Sequence, residues 1–119
     1  MSFRIANKQA KKSPHHQHRL GAVIVKGGRV LSTGYNSIRY TKELKEPSLH
    51  AEGAAILKLL KEGRLHDLAG AELFVSRFTK GGSIGMARPC SNCHSLLASV
   101  GIKHVHYTTD LGTTMSYKV

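Results

Sequence analysis

Two short runs of apolar and β-branched residues, separated by a pair of glycines, constrain the fold of this chain most narrowly. The runs are L-G-A-V-I-V at residues 20–25 and V-L-S-T-G-Y at residues 30–35, and Gly27 and Gly28 lie between them. Two-residue hairpin turns require positive φ values, which glycine adopts without steric cost. The pattern therefore predicts an antiparallel hairpin.

Helix-forming segments alternate with strand-like runs along the rest of the chain. We expect helices at residues 2–12, 49–61 and 89–100, with Pro89 in the first turn of the last one. Further strands are expected at residues 73–78, 102–108 and 113–118, and a loop at residues 36–49. The order α-β-β-α-β-α-β-β indicates one domain over residues 1–119, in which helices flank a mostly parallel sheet.

The composition is that of a folded protein, since 40% of the residues are hydrophobic and 21% are charged. No apolar run approaches the roughly 18 residues needed to cross a bilayer, and the first twelve residues lack the apolar stretch of a secretory signal. We therefore expect no membrane association and a cytoplasmic location. In that reducing compartment the two cysteines, Cys90 and Cys93, are not expected to form a structural disulfide.

The charge is strongly positive, with 18 Lys and Arg residues against 7 Asp and Glu residues, which gives a formal net charge of +11. Nine cations precede the first acid, Glu43: Arg4, Lys8, Lys11, Lys12, Arg19, Lys26, Arg29, Arg39 and Lys42. Such a surface attracts polyanions, of which nucleic acid is the first candidate. A merely soluble cationic surface is the alternative.

The motif P-C-S-N-C-H at residues 89–94 fits several chemistries when it is taken alone. C-x-x-C-H is typical of c-type haem attachment, and C-x-x-C also occurs in zinc sites and redox proteins. The upstream triplet H-A-E at residues 50–52 narrows the choice. H-x-E followed by P-C-x-x-C is the signature of zinc deaminases, so we predict that His50, Cys90 and Cys93 bind Zn2+.

The residue types fit a catalytic zinc site rather than a closed structural one. Two thiolates and one imidazole suit Zn2+, and three protein ligands leave the fourth tetrahedral position for a water that ionises near neutral pH. Cys90 and Cys93 lie near a predicted helix start, whose dipole favours their thiolate forms. Glu52 follows His50 by two residues, so we predict that it is the general acid and base rather than a ligand.

Together these motifs resemble the cytidine deaminase superfamily over residues 19–107. The resemblance implies a three-layer α/β/α fold with a mixed five-stranded sheet and with zinc between the two motif helices. G-Y-N at residues 34–36 is similar to the G-x-N of the family, which implies a contact between Asn36 and the substrate sugar or base. Ala51 and Arg88, which flank the motif residues, are the other predicted substrate contacts.

The chain departs from many family members just before the cysteines, where M-A-R-P-C replaces S-x-E-P-C. Arg88 therefore replaces an acid, and it is expected either to contact a phosphate or to be an ordinary surface residue. This short form resembles small bacteriophage deaminases, so the host cytoplasm is the expected location if the protein is phage-encoded. If the last two strands form a direct hairpin, the fifth is antiparallel, as in the nucleoside-type branch.

The predicted function is zinc-dependent hydrolytic deamination of cytosine to uracil. The expected substrate carries phosphate, as a deoxycytidylate-type nucleotide or as single-stranded DNA or RNA, and a homo-oligomer is possible. The alternatives are deamination of free cytidine or deoxycytidine, deamination of transfer-RNA adenosine, and a non-catalytic zinc module that binds nucleic acid. In that module His104 and His106 complete the zinc site with the two cysteines, whereas in the haem interpretation His94 and Met115 are the axial ligands.

Overall fold

The computed structural model describes residues 2–13, 18–36, 50–79 and 81–119, and most of the predicted loop at residues 36–49 lies outside these ranges. The elements are α1 (Ser2–Lys11), β1 (His18–Lys26), β2 (Arg29–Tyr35), α2 (Ala51–Lys61), β3 (Glu72–Thr79), α3 (Ser91–Ser99), β4 (His104–Thr108) and β5 (Thr114–Lys118). A short 3-10 helix, Leu65–Leu68, which the sequence did not predict, follows α2.

The strands form one mixed sheet in the order β2-β1-β3-β4-β5. The prediction of a mixed five-stranded sheet is confirmed, but the expectation of a mostly parallel one is wrong. Only β3 and β4 pair in parallel, whereas β1 pairs antiparallel with both β2 and β3, and β5 pairs antiparallel with β4. The reason is that β1 lies between β2 and β3, the two parallel strands that the α2 crossover connects.

Glycines at both central positions of the predicted hairpin turn explain its geometry. Gly27 and Gly28 have φ values of 57° and 77°, as a tight turn between two twisted strands requires. Gly63 and Gly101, which follow α2 and α3, also have positive φ values and end those helices.

Helices cover both faces of the sheet, which confirms the three-layer architecture. Helix α1 packs on one face, where Phe3 meets Phe74 edge-on and Ala6 and Ala10 are fully buried. On the opposite face, α2 lies directly over β2. A Cβ atom at Gly34 would lie 2.6 Å from the carbonyl oxygen of Ala51, so only glycine permits this close approach.

The main core lies between the sheet and the layer that contains α2 and α3. It includes Ile24, Leu59, Leu73, Leu97 and Val105, whose side chains are almost completely buried. Burial of this apolar surface is the main force that holds both helices on the sheet. Within the part of the chain that the structure describes, no helix is long and apolar enough to cross a membrane.

At one end of the sheet, strands β3 and β4 end and strands β1 and β5 begin. His18 pairs with Thr79, and Thr108 pairs with Thr114, so β1 and β5 begin where β3 and β4 end. We call this end the Thr79 end. The contact of Gly34 with the first turn of α2 places the start of α2 there too.

Candidate active site

Helices α2 and α3 each begin at a residue with a metal-binding side chain. His50 is the N-cap of α2, with φ −74° and ψ 156°, and Cys90 is the N-cap of α3, with φ −68° and ψ 170°. Neither side chain caps its own helix. The sequence had placed residues 49–50 and 89–90 inside the two helices, and both helix starts were therefore predicted too early. Pro89 lies before α3, not in its first turn.

The donor atoms of the three predicted ligands converge. The Nδ1 atom of His50 lies 2.9 Å from Sγ of Cys93 and 3.9 Å from Sγ of Cys90, and all three donors lie within 4.8 Å of one another. Bond lengths of about 2.0 Å to nitrogen and 2.3 Å to sulfur in a tetrahedron separate such donors by roughly 3.6 Å. The observed separations bracket that value, so the residues fit a zinc ion.

The electrostatics of Cys93 also fit a bound cation. This thiol is 6% exposed, and burial together with the carboxylate of Glu52 and the sulfur of Cys90 raises its pKa well above the ordinary range. A thiol must lose its proton to bind metal. A divalent cation held by the three donors would supply the positive charge that this buried site needs to keep a thiolate.

Glu52 lies in the first turn of α2 and is only 3% exposed. Burial raises the pKa of its carboxyl, whereas a hydrogen bond from its own backbone N–H, the charge of His50 and a hydrogen bond with Cys93 act in the opposite direction. The carboxyl is thus close to the donor cluster without belonging to it. A raised pKa suits a group that must both accept and donate a proton near neutral pH.

A comparison with protein-family models agrees with this geometry. Residues 1–109 match the model of the cytidine and deoxycytidylate deaminase zinc-binding region. The chain belongs to this family. It is therefore a deaminase of the cytidine and deoxycytidylate type with zinc as its cofactor, as the sequence predicted.

Two curated relatives share 30% identity with this deaminase. One is a tRNA-specific adenosine deaminase of Aquifex aeolicus, matched over 89% of this chain; the chain spans 62% of that relative's length. The other is the deoxycytidylate deaminase of Mycobacterium phage D29, matched over 87% of this chain and 88% of the relative.

Solved structures confirm the fold at lower identity. A dCMP deaminase from cyanophage S-TIM5, in complex with dCMP and dUMP, is 24% identical and has a TM-score of 0.64, with 89% of this chain and 76% of that chain covered. A cytidine deaminase from Burkholderia pseudomallei is 22% identical and has a TM-score of 0.69, with coverages of 98% and 89%. The three-layer fold is therefore shared by nucleotide-type and nucleoside-type enzymes.

Arg88 is exposed and lies against two tyrosines next to the deaminase site. Its guanidinium carbon is 5.0 Å from the ring centroid of Tyr117 and 5.9 Å from that of Tyr107. Burial raises the pKa of Tyr117, and the nearby Glu52 and Cys93 raise it further, while Arg88 lowers it. Tyr117 is therefore within electrostatic range of the proposed catalytic centre.

Sequence reasoning missed both tyrosines as neighbours of the site. Tyr117 also meets His94, whose Nδ1 is 3.3 Å from the tyrosine hydroxyl. Period-two alternation along the last two strands could have placed Tyr107 and Tyr117 on one face. Their position beside Arg88 follows only from the strand order, which the sequence did not show.

The other two predicted substrate contacts lie where β2 meets α2. Asn36 is 9% exposed, and its Oδ1 accepts a hydrogen bond of 2.9 Å from the backbone N–H of Leu20. Its amide thus extends the pairing of β1 with β2. Ala51 is fully buried at the first position of α2. A role in substrate binding remains a prediction for both residues.

The structure separates His104 and His106 from the two cysteines. Both histidines point to the α1 face of the sheet, where the ring of His106 stacks on Phe74 at 4.3 Å. Tyr107, the next residue, points to the opposite face with Arg88. The alternative zinc site of two cysteines and two histidines is therefore wrong, since residues one apart on a strand face opposite sides of the sheet.

Proposed function

We propose that this deaminase converts the cytosine base of a deoxycytidylate-type nucleotide to uracil and releases ammonia. The observation that carries the proposal is the buried carboxyl of Glu52 beside the converging donors of His50, Cys90 and Cys93. A cluster of three ligands with an adjacent proton carrier is the arrangement that hydrolytic deamination requires.

We assign His50, Cys90 and Cys93 as the zinc ligands. Zinc held by these three residues would supply a water molecule that ionises near neutral pH. The helix starts contribute as well: the partial positive charge at the N-termini of α2 and α3 favours the thiolates and the incoming nucleophile. The three side chains come from two helices, so binding of the metal also holds those helices together.

Glu52 is proposed to move the protons of the reaction. Water adds its oxygen to C4 of the ring, and Glu52 takes one water proton and delivers it to the adjacent ring nitrogen. A second proton passes through the same carboxyl to the amino group, which leaves as ammonia, and the carbonyl of uracil remains. Burial excludes bulk water from the carboxyl, so both transfers are confined to the substrate.

Arg88 supports a substrate that carries phosphate. Its guanidinium is held over the Tyr117 ring, it is exposed, and none of the ion pairs observed in the described residues involves it. A positioned guanidinium forms strong charge-assisted hydrogen bonds to phosphate oxygens. The phage D29 relative is a deoxycytidylate deaminase, and the cyanophage structure contains dCMP and dUMP, so we propose a nucleotide monophosphate.

Asn36 and Ala51 are proposed to orient the nucleotide. The backbone N–H of Ala51 lies at the start of α2, where the first helical N–H groups have no intrahelical acceptor, and it can donate to an oxygen of the base. Asn36 lies two residues beyond Gly34, at the end of β2 beside that first turn. We propose that it contacts the sugar or the base.

A polynucleotide substrate is the second candidate. It is favoured by the net charge of +11 and by the similarity to the tRNA-specific adenosine deaminase. A third group, free nucleosides, is favoured by the antiparallel orientation of β5. The resemblance to the cytidine deaminase superfamily associates an antiparallel fifth strand with nucleoside-type enzymes. Both groups belong in the substrate test.

The test is ammonia release by the zinc-loaded protein from dCMP, dCTP, deoxycytidine, cytidine, adenosine, and single-stranded DNA and RNA that contain cytosine. Glu52→Gln serves as the blank. We expect turnover of dCMP with a higher kcat/KM than turnover of deoxycytidine. Turnover of an adenine substrate alone, or of deoxycytidine with equal efficiency, would contradict the proposed substrate.

The compartment is part of the same proposal. We propose the cytoplasm, because two free thiols at a metal site require reducing conditions. The homo-oligomer expected from the sequence stays a prediction.

A further inference from the structure

The exposed side of α1 and the start of β1 form a surface of positive charge. This surface, which we call the α1 basic surface, consists of Arg4, Lys8, Lys11, Lys12 and Arg19. The three cations within α1 and Lys12, which directly follows the helix, are exposed. The opposite side of α1 is buried through Ala6 and Ala10. The cations therefore share the outer side of the molecule.

No acid in the described residues neutralises this surface. Of the seven acids in the chain, Glu43 and Glu46 lie outside the described ranges. The other five have different surroundings: Glu52 is buried beside Cys93, Glu62 and Asp67 pair with Arg64, Glu72 pairs with His106, and Asp110 accepts a hydrogen bond from Met86. The α1 cations thus repel one another unless an anion binds.

Phe78 holds two of these cations in place. Lys11 Nζ lies 5.6 Å from the centroid of the Phe78 ring, and the guanidinium carbon of Arg19 lies 5.9 Å from it. Arg19 is also the cross-strand partner of Phe78, and its Nη2 donates to the carbonyl oxygen of Thr79. Among the described residues, the buried Nε of Arg19 has no hydrogen-bond acceptor. Two ordered cations beside one ring are pre-organised for an anion.

This cation pair lies at the same end of the sheet as the zinc ligands. Arg19 and Phe78 pair at the Thr79 end, and α2 begins at that end with His50 as its N-cap. The pair is on the α1 face, whereas the zinc ligands and Arg88 are on the opposite face. A ligand that used both must therefore pass around the end of the sheet, which a flexible strand can do more readily than a rigid duplex.

We propose that the α1 basic surface binds the phosphodiester backbone of single-stranded nucleic acid, with Lys11 and Arg19 as its ordered contacts. This proposal goes beyond the proposed function. It rests on that function only in the choice of a single strand, since a deaminase needs an unpaired base. Each phosphate contact to a single strand contributes about 0.7 to the slope of log affinity against log salt. With the two contacts of Lys11 and Arg19, raising the salt from 50 to 200 mM should therefore lower the affinity roughly sevenfold.

The test is fluorescence anisotropy of a labelled oligo(dT) 20-mer with the full chain at several salt concentrations. Oligo(dT) contains no cytosine, so binding is measured independently of deamination. We expect Lys11→Gln to weaken binding and to reduce the salt slope by about 0.7. Phe78→Leu keeps every charge but removes the ring, and a loss of roughly two- to fivefold in affinity is expected.

Lys61→Gln is the matched control, because it removes the same charge from an exposed position at the far end of α2. Equal effects of Lys11→Gln and Lys61→Gln would overturn the proposal and indicate a general charge effect. A duplex of the same sequence that bound as tightly as the single strand would overturn the choice of partner. Failure of dCMP turnover with oligo(dT) binding intact would refute the proposed function and leave the binding surface in place.

Discussion

His50 and Cys90 occupy the same structural position in two different helices: each is the N-cap, and the Nδ1 atom of His50 lies 3.9 Å from Sγ of Cys90. The two helix starts therefore meet at the site. This relationship places two partial positive charges of helix ends around the donor cluster. It also makes the proposed metal a link between α2 and α3, so metal content and stability should change together.

Cys93→Ala is expected to release the zinc and to lower the melting temperature. The substitution removes one of three proposed ligands, and binding to the native state alone stabilises that state. The zinc content measured by elemental analysis should fall from about one ion per chain to near zero. Ser91→Ala, an exposed change in the same helix, is the control, and an unaltered zinc content in Cys93→Ala would disprove the ligand assignment.

Glu52→Gln is expected to keep the zinc while kcat falls by about 10²- to 10⁴-fold, because the amide is nearly isosteric but cannot carry a proton. Ammonia release and metal content are measured on the same preparation. Glu62→Gln, at the exposed end of α2, should retain full activity. If Glu52→Gln turned over dCMP at the normal rate, Glu52 would not be the proton carrier.

Arg88→Gln is expected to raise KM for dCMP by roughly 10- to 100-fold, as for loss of a hydrogen bond to a charged group. KM for deoxycytidine, which has no phosphate, should change little. Tyr117→Leu removes the ring that holds Arg88 and should shift KM for dCMP in the same direction. Tyr117→Phe keeps the ring and serves as its control. A parallel change for both substrates would argue against a phosphate contact.

Gly34→Ala is expected to destabilise the fold by about 1–3 kcal/mol, because the new methyl group would lie 2.6 Å from the backbone of α2 at Ala51 and Ala55. Displacement of α2 should also weaken zinc binding through His50. Gly81→Ala, where a Cβ meets open space, is the control. Urea denaturation compares the two variants, and equal stability would show that α2 moves away without cost.

The sequence by itself determined the chemistry and most of the elements. H-A-E and P-C-S-N-C predict the ligands and the acid, because zinc chemistry depends on residue type and on the spacing within each motif. The hairpin turn at Gly27 and Gly28 and the helix ends at Gly63 and Gly101 were also predictable, since positive φ values favour glycine. The starts of α2 and α3 were predicted about two residues too early, because His50 and Cys90 are N-caps rather than helical residues.

Only the tertiary structure decided which elements became neighbours. Insertion of β1 between β2 and β3 made the sheet mixed, and the packing of α1 and α2 on opposite faces put His104 and His106 on the face away from the two cysteines. The same strand order brought Tyr117 to Arg88 and placed the Lys11, Phe78 and Arg19 contacts at the end of the sheet where the proposed zinc ligands lie. Strand order depends on which apolar faces bury one another across the whole chain, and no local pattern of residues contains that information.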